Sequence, residues 1–599
     1  MKIKVAKYIS EFLVDNGVKD CFMVTGGGAM HLNDALGHQE GLHCIFNHHE
    51  QGCAIAAEGY TRMSGKLAAV CVTSGPGGTN AITGVLGGWL DSIPMFILSG
   101  QVKRETTTWS CAEIGLRQLG DQEFDIVHSI ANMTKYCVMI TNPVEIAYHL
   151  EKALYLALYG RKGPVWIDIP LDVQGAVIDT DTLLHYNPSS EIFWQVPLVK
   201  DSLAKEVLQK IKQAKAPLIL AGTGIRLGDS ENEFLRLVDK LQIPVVTAWN
   251  ANDVIAFSNP HFCGMPGTVG TRSGNFAVQN CDLLISLGCR LNIRMIGYNH
   301  HNFAEKAYKI VVDIDSRELV KPTIKPDLPI HADVKDFMQA LIREDYHPSD
   351  SHKPWLQWCK KLVSQFPLVN DSYHTVRNFI NPYVFIEMLF GRLDETEKII
   401  CGNGSACVIT FQACKITQGQ RMFTNSGCAA MGYGLPAALG VAVSDNTKRT
   451  ICIDGDGSLM MNLQELATIA HNCLNIKILL INNNGYLSIK QTQTNLFKPP
   501  FIGIDSKSGV GFPDFRKLAE AFSLRYFRID SELDCCDILD SVLNSEGPCI
   551  CEVMVDPDQN FAPKSSSKVL PDGRIVSPSL DDMSPFLERN DYDAIHFPE

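Results

Sequence analysis

The sequence predicts an α/β chain of three doubly wound parallel-sheet domains in series, followed by a C-terminal tail. Two observations carry this expectation. Short β-branched apolar runs recur along the chain, each closed by a Gly-rich turn and followed by a helical period near 3.6. These runs are apolar on both faces, as strands between two helix layers must be. The length of 599 residues agrees, because one hydrophobic core stops growing well short of it.

The first domain is expected over residues 1–185. Its opening, MKIKVAKYISEFLVDNGV, breaks its apolar positions with Lys7, Glu11 and Asp15, so it reads as an amphipathic helix rather than an export signal. Strand candidates follow at 67–75, 93–101 and 164–170. The second domain, 195–345, begins after a Pro- and Ser-marked stretch and carries 217–222, 243–248, 282–288 and 309–315. A charged, aromatic stretch at 350–375 is expected to be a helical connector. The third domain, 376–556, carries 398–404, 449–457 and 476–486, and a polar tail occupies 557–599.

Apolar residues make up 45% and charged residues 20%, the balance of a soluble globular protein. The net charge of −13 argues against nucleic-acid partners and anionic membranes, which call for basic patches. No apolar run reaches the roughly 18–20 residues of a membrane helix. Many of the 20 cysteines sit inside apolar strands, as Cys71, Cys452 and Cys551 do, which predicts reduced thiols and a cytoplasmic location. Cys549 and Cys551 form a lone C-x-C, a weak metal signal.

Residues 455–486 read GDGSLMMNLQELATIAHNCLNIKILLINNNGY. A strand ends at Asp454, a turn and helix follow, and a second strand ends in Asn482–Asn483–Asn484. Parallel strand ends share one edge, so Asp456 and Asn483 can converge on one ion. Such hard oxygen ligands suit Mg²⁺, and amides at Gly457 and the helix start suit a diphosphate. The Gly–Asp–Gly alone could be a helix cap. The Asn triple is harder to explain that way, because polar groups at a buried edge need partners.

This arrangement resembles the cofactor motif of the thiamine-diphosphate-dependent enzymes. The resemblance implies Mg²⁺ held by Asp456, Asn483 and the Gly485 carbonyl, and diphosphate contacts at Gly457 and Ser458. It also implies diphosphate contacts at Gly402 and Ser405 of CGNGSA, where the family often shows Gln-His at 405–406. Residues 46–62, FNHHEQGCAIAAEGYTR, resemble the Glu-bearing segment of the acetohydroxyacid synthase branch. Taken alone, Glu50 reads as an acidic helix start. In the family the matching Glu bonds N1′ of the aminopyrimidine, so that the 4′-nitrogen removes the C2 proton. Met431 stands where the family places an apolar wedge that folds the cofactor, although alone it reads as a core methionine. Gln122 matches a family glutamine beside the reacting carbons, with Asp121 in place of a Phe, and Gly28 falls on the substrate side.

The middle domain is similar to the FAD-binding domain of these synthases. Carried over, Gly222, Thr247, Arg290, Arg294, Asp313 and Asp333 would touch FAD, arginines suiting the diphosphate and carboxylates the ribose or ring. Leu291, Asn292 and Ile293 replace the family's F-D-D, and Pro266 a His. The family also implies a homodimer or homotetramer with active sites between subunits.

The expected reaction is pyruvate decarboxylation and transfer of the two-carbon unit to a carbonyl acceptor. Where the synthases continue to Q-W-Q, this chain has Gln491–Thr492–Gln493, which removes a large apolar wall. The tail PKSSSKVLPDGRIVSPSLDDMSPFLER holds Lys564, Lys568 and Arg574. It reads either as a solvated tail or as a lid whose cations meet an anionic acceptor. Its wording is similar to a synthase-like subgroup encoded with surface-polysaccharide genes, the yersiniose-forming carboligase among them. That resemblance implies a nucleotide-linked keto deoxysugar as acceptor. Arg294 points the other way, since the matching Arg holds an acceptor carboxylate in the synthases. The alternatives are acetolactate synthase proper, a lyase such as sulfoacetaldehyde acetyltransferase, and a non-catalytic nucleotide-binding subunit.

Overall fold

The structure is a computed structural model that describes all residues except 191–194, 375–377, 570–573 and 599. In the first domain, β1 (Asp20–Met23), β2 (His43–Phe46), β3 (Ala69–Val72), β4 (Phe96–Gln101), β5 (Tyr136–Met139) and β6 (Val165–Pro170) form one parallel sheet, ordered β2-β1-β3-β4-β6-β5. In the middle domain, β7 (Pro217–Ala221), β8 (Val245–Thr247), β9 (Leu283–Leu287), β10 (Tyr308–Asp313) and β11 (Leu328–His331) are parallel in the order β8-β7-β9-β10-β11. In the third domain, β12 (Lys398–Cys401), β13 (Arg421–Phe423), β14 (Thr450–Gly455), β15 (Ile476–Asn482), β16 (Arg525–Ile529) and β17 (Cys549–Met554) are parallel in the order β13-β12-β14-β15-β17-β16. The three-domain α/β expectation therefore holds.

The outer two sheets share one strand order, and in every sheet the order reverses beside the first strand. Crevices open at such reversals, outside the carboxyl ends of the strands. The loops after β1 and β3, after β7 and β9, and after β12 and β14 lie there. These loops carry most of the glycine-rich turns picked out in the sequence. The inner strands are buried on both faces, β15 along its whole length, because helices cover both sides of each sheet.

The helices that matter for the site are α1 (Glu50–Ser64), α2 (Pro76–Asp91), α3 (Lys353–Gln365), α4 (Ser405–Ala413), α5 (Gly434–Ser444), α6 (Glu465–His471) and α7 (Leu487–Leu496). α1 of the first domain crosses α5 of the third at backbone contact. A Cβ on Gly59 would lie 2.5 Å from the Ala437 carbonyl oxygen, and one on Gly440 1.8 Å from that of Ala56. Beside the crossing, the Tyr433 hydroxyl donates to Glu58 at 2.7 Å, Glu58 pairs with Arg62, and Arg62 reaches Asp91 at 2.9 Å.

The connector is helical over α3, and its Trp355 donates to the Pro217 carbonyl at 2.9 Å. The tail departs from the solvated segment its composition suggests. Lys564 bridges Ser584, Tyr592 and Ile595 pack with Phe276 and Leu362, and the Phe597 ring meets Trp355 edge-on at 4.9 Å. These apolar residues are too irregularly spaced to show a period, since each fills a separate site on a surface already folded. The Leu570–Gly573 stretch of the tail motif lies outside the described residues. Among the described residues no helix is long and apolar enough to cross a membrane, and all 20 cysteines are free thiols.

Candidate active site

The third domain brings Asp456 and Asn483 to adjacent strand ends. β14 and β15 run in register to Gly455↔Ile481, so the turn after one strand faces the Asn triple after the other. The Asp456 carboxylate, 2% exposed, accepts from the Gly457 N–H at 2.7 Å and the Gly485 N–H at 3.0 Å. Burial pushes its pKa up to about 7 against the pull of these bonds. The Asn483 amide nitrogen donates to the Ser405 hydroxyl at 3.3 Å, while its amide oxygen is buried with no partner.

An orphaned buried acceptor beside a buried carboxylate calls for a cation. One carboxylate, one amide oxygen and a turn carbonyl fit Mg²⁺, which keeps positions open for phosphate and water. Among the described residues no group of three or more His, Cys, Asp or Glu is placed to hold a metal, so an ion here leans on neutral oxygens.

The diphosphate-side residues surround this pair. Ser405 opens α4 behind Gly404, whose φ of +86° sets the turn. The Ser458 hydroxyl accepts from the Gly432 N–H at 2.9 Å, and the Asn462 amide donates to the Gly432 carbonyl at 2.7 Å. The half-buried Met431 is thereby tied to the Gly457–Ser458 turn. Asp454 was not singled out in the sequence. It is fully buried, one of its oxygens has no partner, and burial raises its pKa to about 7. Gly402 and Gly434 must both be small there, since their Cβ atoms would lie 1.9 and 2.7 Å from its carboxylate oxygens. The doubled D-G-D-G of residues 454–457 was the available signal.

In the first domain Glu50 is the first residue of α1, 9% exposed, and accepts from the Asn80 amide at 3.0 Å. Asn80 comes from α2, behind the Gly-rich turn after β3. The Gly28 N–H donates to the Thr73 hydroxyl at 3.1 Å, which places that turn beside the same loop. Gln122 is exposed with φ +60°, and its carbonyl lies so close to Gly75 that a Cβ there would sit 2.4 Å from it.

The Gln122 loop is anchored through Gln101, whose amide donates to the Phe124 carbonyl at 2.9 Å and to Asp168 at 3.1 Å. Asp168 is fully buried, and burial raises its pKa to about 7 from 3.8. The folded state thus holds a proton that the unfolded chain has released, so stability contributed by this group is lost as pH rises from about 4 to 7. Unfolding in urea at pH 5 and pH 8 should show wild type losing on the order of a few kcal/mol across this interval. Asp168→Asn should lose clearly less, and equal losses would remove the assignment.

At the middle domain's switch point lies a cavity of about 460 Å³, lined by its Arg290, Arg294, Asp313 and Asp333 and, on the other side, by Asp91 and Arg161 of the first domain. The Arg294 guanidinium lies 5.6 Å from the Trp249 ring centroid. Asp313 has its pKa pushed up to about 6 by burial, and Asp333 caps the following helix through the Lys335 N–H at 2.7 Å. Gly222 and Thr247 are not on the cavity wall, although their neighbours Thr223 and Ala248 are. The Thr247 hydroxyl is buried without a partner, and Gly222 lets the loops after β7 and β9 touch. Leu291, one of the departures noted above, adopts φ +46°.

Among the residues picked out on the acceptor side, Lys564 meets the helix that carries Thr492. Thr492 is exposed on α7 and bonds its own helix through the Ser488 carbonyl at 3.0 Å. The Lys564 ammonium is half-buried and donates to Gln491 on the buried side of α7 at 3.0 Å. Lys568 pairs with Asp582 at 2.5 Å, and Arg574 is exposed. Lys568 is thus neutralised within the tail.

Three family models match the chain: the N-terminal TPP binding domain of thiamine pyrophosphate enzymes over 3–129, their central domain over 204–341, and their C-terminal TPP binding domain over 402–553. The acetolactate synthase isozyme 1 large subunit of Escherichia coli (strain K12) is 31% identical over 558 residues, covering 93% of this chain and 95% of that protein. The acetolactate synthase large subunit of Lactococcus lactis subsp. lactis (strain IL1403) is 31% identical over 577 residues, with 94% and 95% covered. A probable acetolactate synthase large subunit of Methanococcus aeolicus is 32% identical over 563 residues, with 90% of each chain covered.

Proposed function

Because this chain belongs to the thiamine pyrophosphate enzyme family and is an acetolactate synthase-like enzyme of the carboligase type, we propose that it decarboxylates pyruvate and joins the two-carbon unit to the carbonyl of a second 2-keto acid. The observation that carries this reading is the pairing of Asp456 with the orphaned amide oxygen of Asn483, at the strand-end edge that the family uses for its cofactor. Bound thiamine diphosphate supplies the nucleophilic carbon and electron sink that decarboxylation needs. Asp456, Asn483 and the Gly485 carbonyl hold Mg²⁺, and amides at Gly402, Ser405, Gly457 and Ser458 receive the diphosphate. Glu50 would hold a proton at N1′ of the aminopyrimidine, and Met431 would give the cofactor an apolar support. Gln122 and Gly28 face the substrate. In the cavity at the middle domain's switch point, Arg290 and Arg294 would hold the diphosphate of FAD, and Asp313 and Asp333 its hydroxyls or ring nitrogens. The reaction is redox-neutral, so the flavin serves as a brace.

A 2-keto acid acceptor is favoured over a nucleotide-linked keto sugar for two reasons. The relatives are acetolactate synthases, and of the three tail cations Lys568 is already paired with Asp582. Labelled pyruvate given alone should be converted to acetolactate and CO₂ in equal amounts, read by mass spectrometry. Pyruvate consumption that starts only when a keto sugar is added would overturn the 2-keto acid reading.

The site is completed by a second copy of the chain, Glu50 of one facing Asp456 of the other. Support comes from the exposed apolar Trp109, Ile114 and Leu119 of the first domain and Leu496, Phe497 and Ile502 of the third, which call for cover. Mixing inactive Glu50→Gln and Asp456→Ala proteins should then restore about a quarter of wild-type activity, since half of randomly formed two-fold dimers carry one intact site. No recovery after subunit exchange would place both halves of each site in one chain.

A further inference from the structure

Glu465 opens α6 in the third domain, yet its carboxylate is engaged by the first. Its side chain is fully buried. One oxygen accepts from the Asn47 amide and the Thr468 hydroxyl, each at 2.8 Å, and the other accepts from the His48 backbone N–H at 3.2 Å. The carboxylate passes the first turn of α1 at Gly52, where a Cβ would lie 2.5 Å from it. Asn47, His48 and His49 form the extended approach to Glu50, His49 having φ −153° and ψ 140°.

We infer that Glu465 is a positioning residue for Glu50: a carboxylate of the metal-motif domain that fixes the backbone from which the cofactor-facing carboxylate projects. Besides this carboxylate, the approach is held by the Asn47 N–H on the Met23 carbonyl at 3.0 Å, by the His49 ring on the Gln51 N–H at 3.1 Å and by the Cys53 N–H on the His49 carbonyl at 3.1 Å. None of these bonds engages the His48 N–H, whose direction sets where the first turn of α1 begins. Three donors converge on Glu465, and the His48 N–H is the one that can only donate. An amide in place of the carboxylate keeps all three contacts only if the Asn47 amide and the Thr468 hydroxyl both turn to accept, and it loses the charge that strengthens the bond to the His48 N–H. The proposal rests on the reading of Glu50 given above, and it assigns to Glu465 no contact with cofactor or substrate.

The test compares Glu465→Gln with the swapped pair Asn47→Asp plus Glu465→Gln, in which amide and carboxylate trade places. In the holoenzyme, C2-proton exchange of bound thiamine diphosphate should slow roughly ten- to hundredfold in the single variant, with cofactor affinity changed by less than about threefold. The swapped pair should recover exchange to within about threefold of wild type. In the cofactor-free protein, backbone amide exchange over residues 46–53 should quicken in the single variant and return in the pair. Wild-type C2 exchange in Glu465→Gln overturns the positioning role, as does a loss of cofactor affinity in step with the rate, or a pair that stays slow. Should the single variant not fold, the pair decides: soluble with near-wild-type exchange supports the role, and slow or insoluble overturns it. Glu50→Gln separates the two readings. If it leaves C2 exchange intact, both fall; if it abolishes exchange while Glu465→Gln does not, the positioning role alone falls.

Discussion

Glu50→Gln is expected to lower turnover by roughly a hundred- to ten-thousandfold, the range of a positioned acid–base group, while leaving thiamine diphosphate bound. Glutamine keeps the side chain's length and the bond to the Asn80 amide, which reaches the Glu50 carboxylate at 3.0 Å. It cannot take or release the proton that the role proposed for Glu50 requires. The residues assigned to the diphosphate and Mg²⁺ all lie in the third domain, so affinity for the cofactor should survive. Exchange of the C2 proton, followed by magnetic resonance on the quenched cofactor, separates the two quantities. Exchange at the wild-type rate would strip Glu50 of this role.

The second large effect is expected at the metal pair. Asp456→Ala should weaken Mg²⁺ and thiamine diphosphate together, by at least the ten- to hundredfold that outer-shell partners of metal sites already carry. Asn483→Ala should do the same more mildly, since an amide oxygen brings no charge. The cofactor-free Asp456→Ala protein should melt no lower than wild type, because it loses a carboxylate that burial disfavours. Titration calorimetry with Mg²⁺ and the cofactor, set beside thermal melts without them, reads both. Unchanged metal affinity in the two variants would mean that the strand-end pair has another purpose.

The parts of the site legible in the sequence were those fixed by strand ends. Asp456 and Asn483 could be paired because a parallel sheet puts successive strand ends on one edge, and the structure brings them there. The three sheets were legible because strands covered on both sides leave unbroken apolar runs. What escaped was set by tertiary contacts and by backbone shape. Glu465 reads as an ordinary acidic helix start, and only the packed third domain aims it at Asn47. Asp454 reads as part of a strand until Gly402 and Gly434 are seen against it. The left-handed backbone of Gln122 has no signature in a glutamine. The tail's cations suggested a ligand, whereas Lys568 closes on Asp582 only fourteen residues further along the same segment.

The crossing of α1 and α5 makes the outer domains meet as the halves of an isologous dimer do: each helix offers the other a glycine notch and receives a carbonyl ridge. Glu50 is the first residue of one helix, and the Met431–Tyr433 bend leads into the other. An extra methyl group in either notch therefore wedges both helices apart, tilting Glu50 and Met431 in one rigid-body movement. Two positions far apart in sequence, Gly59 and Gly440, act as a single mechanical fulcrum, and damage at either should look like damage at both.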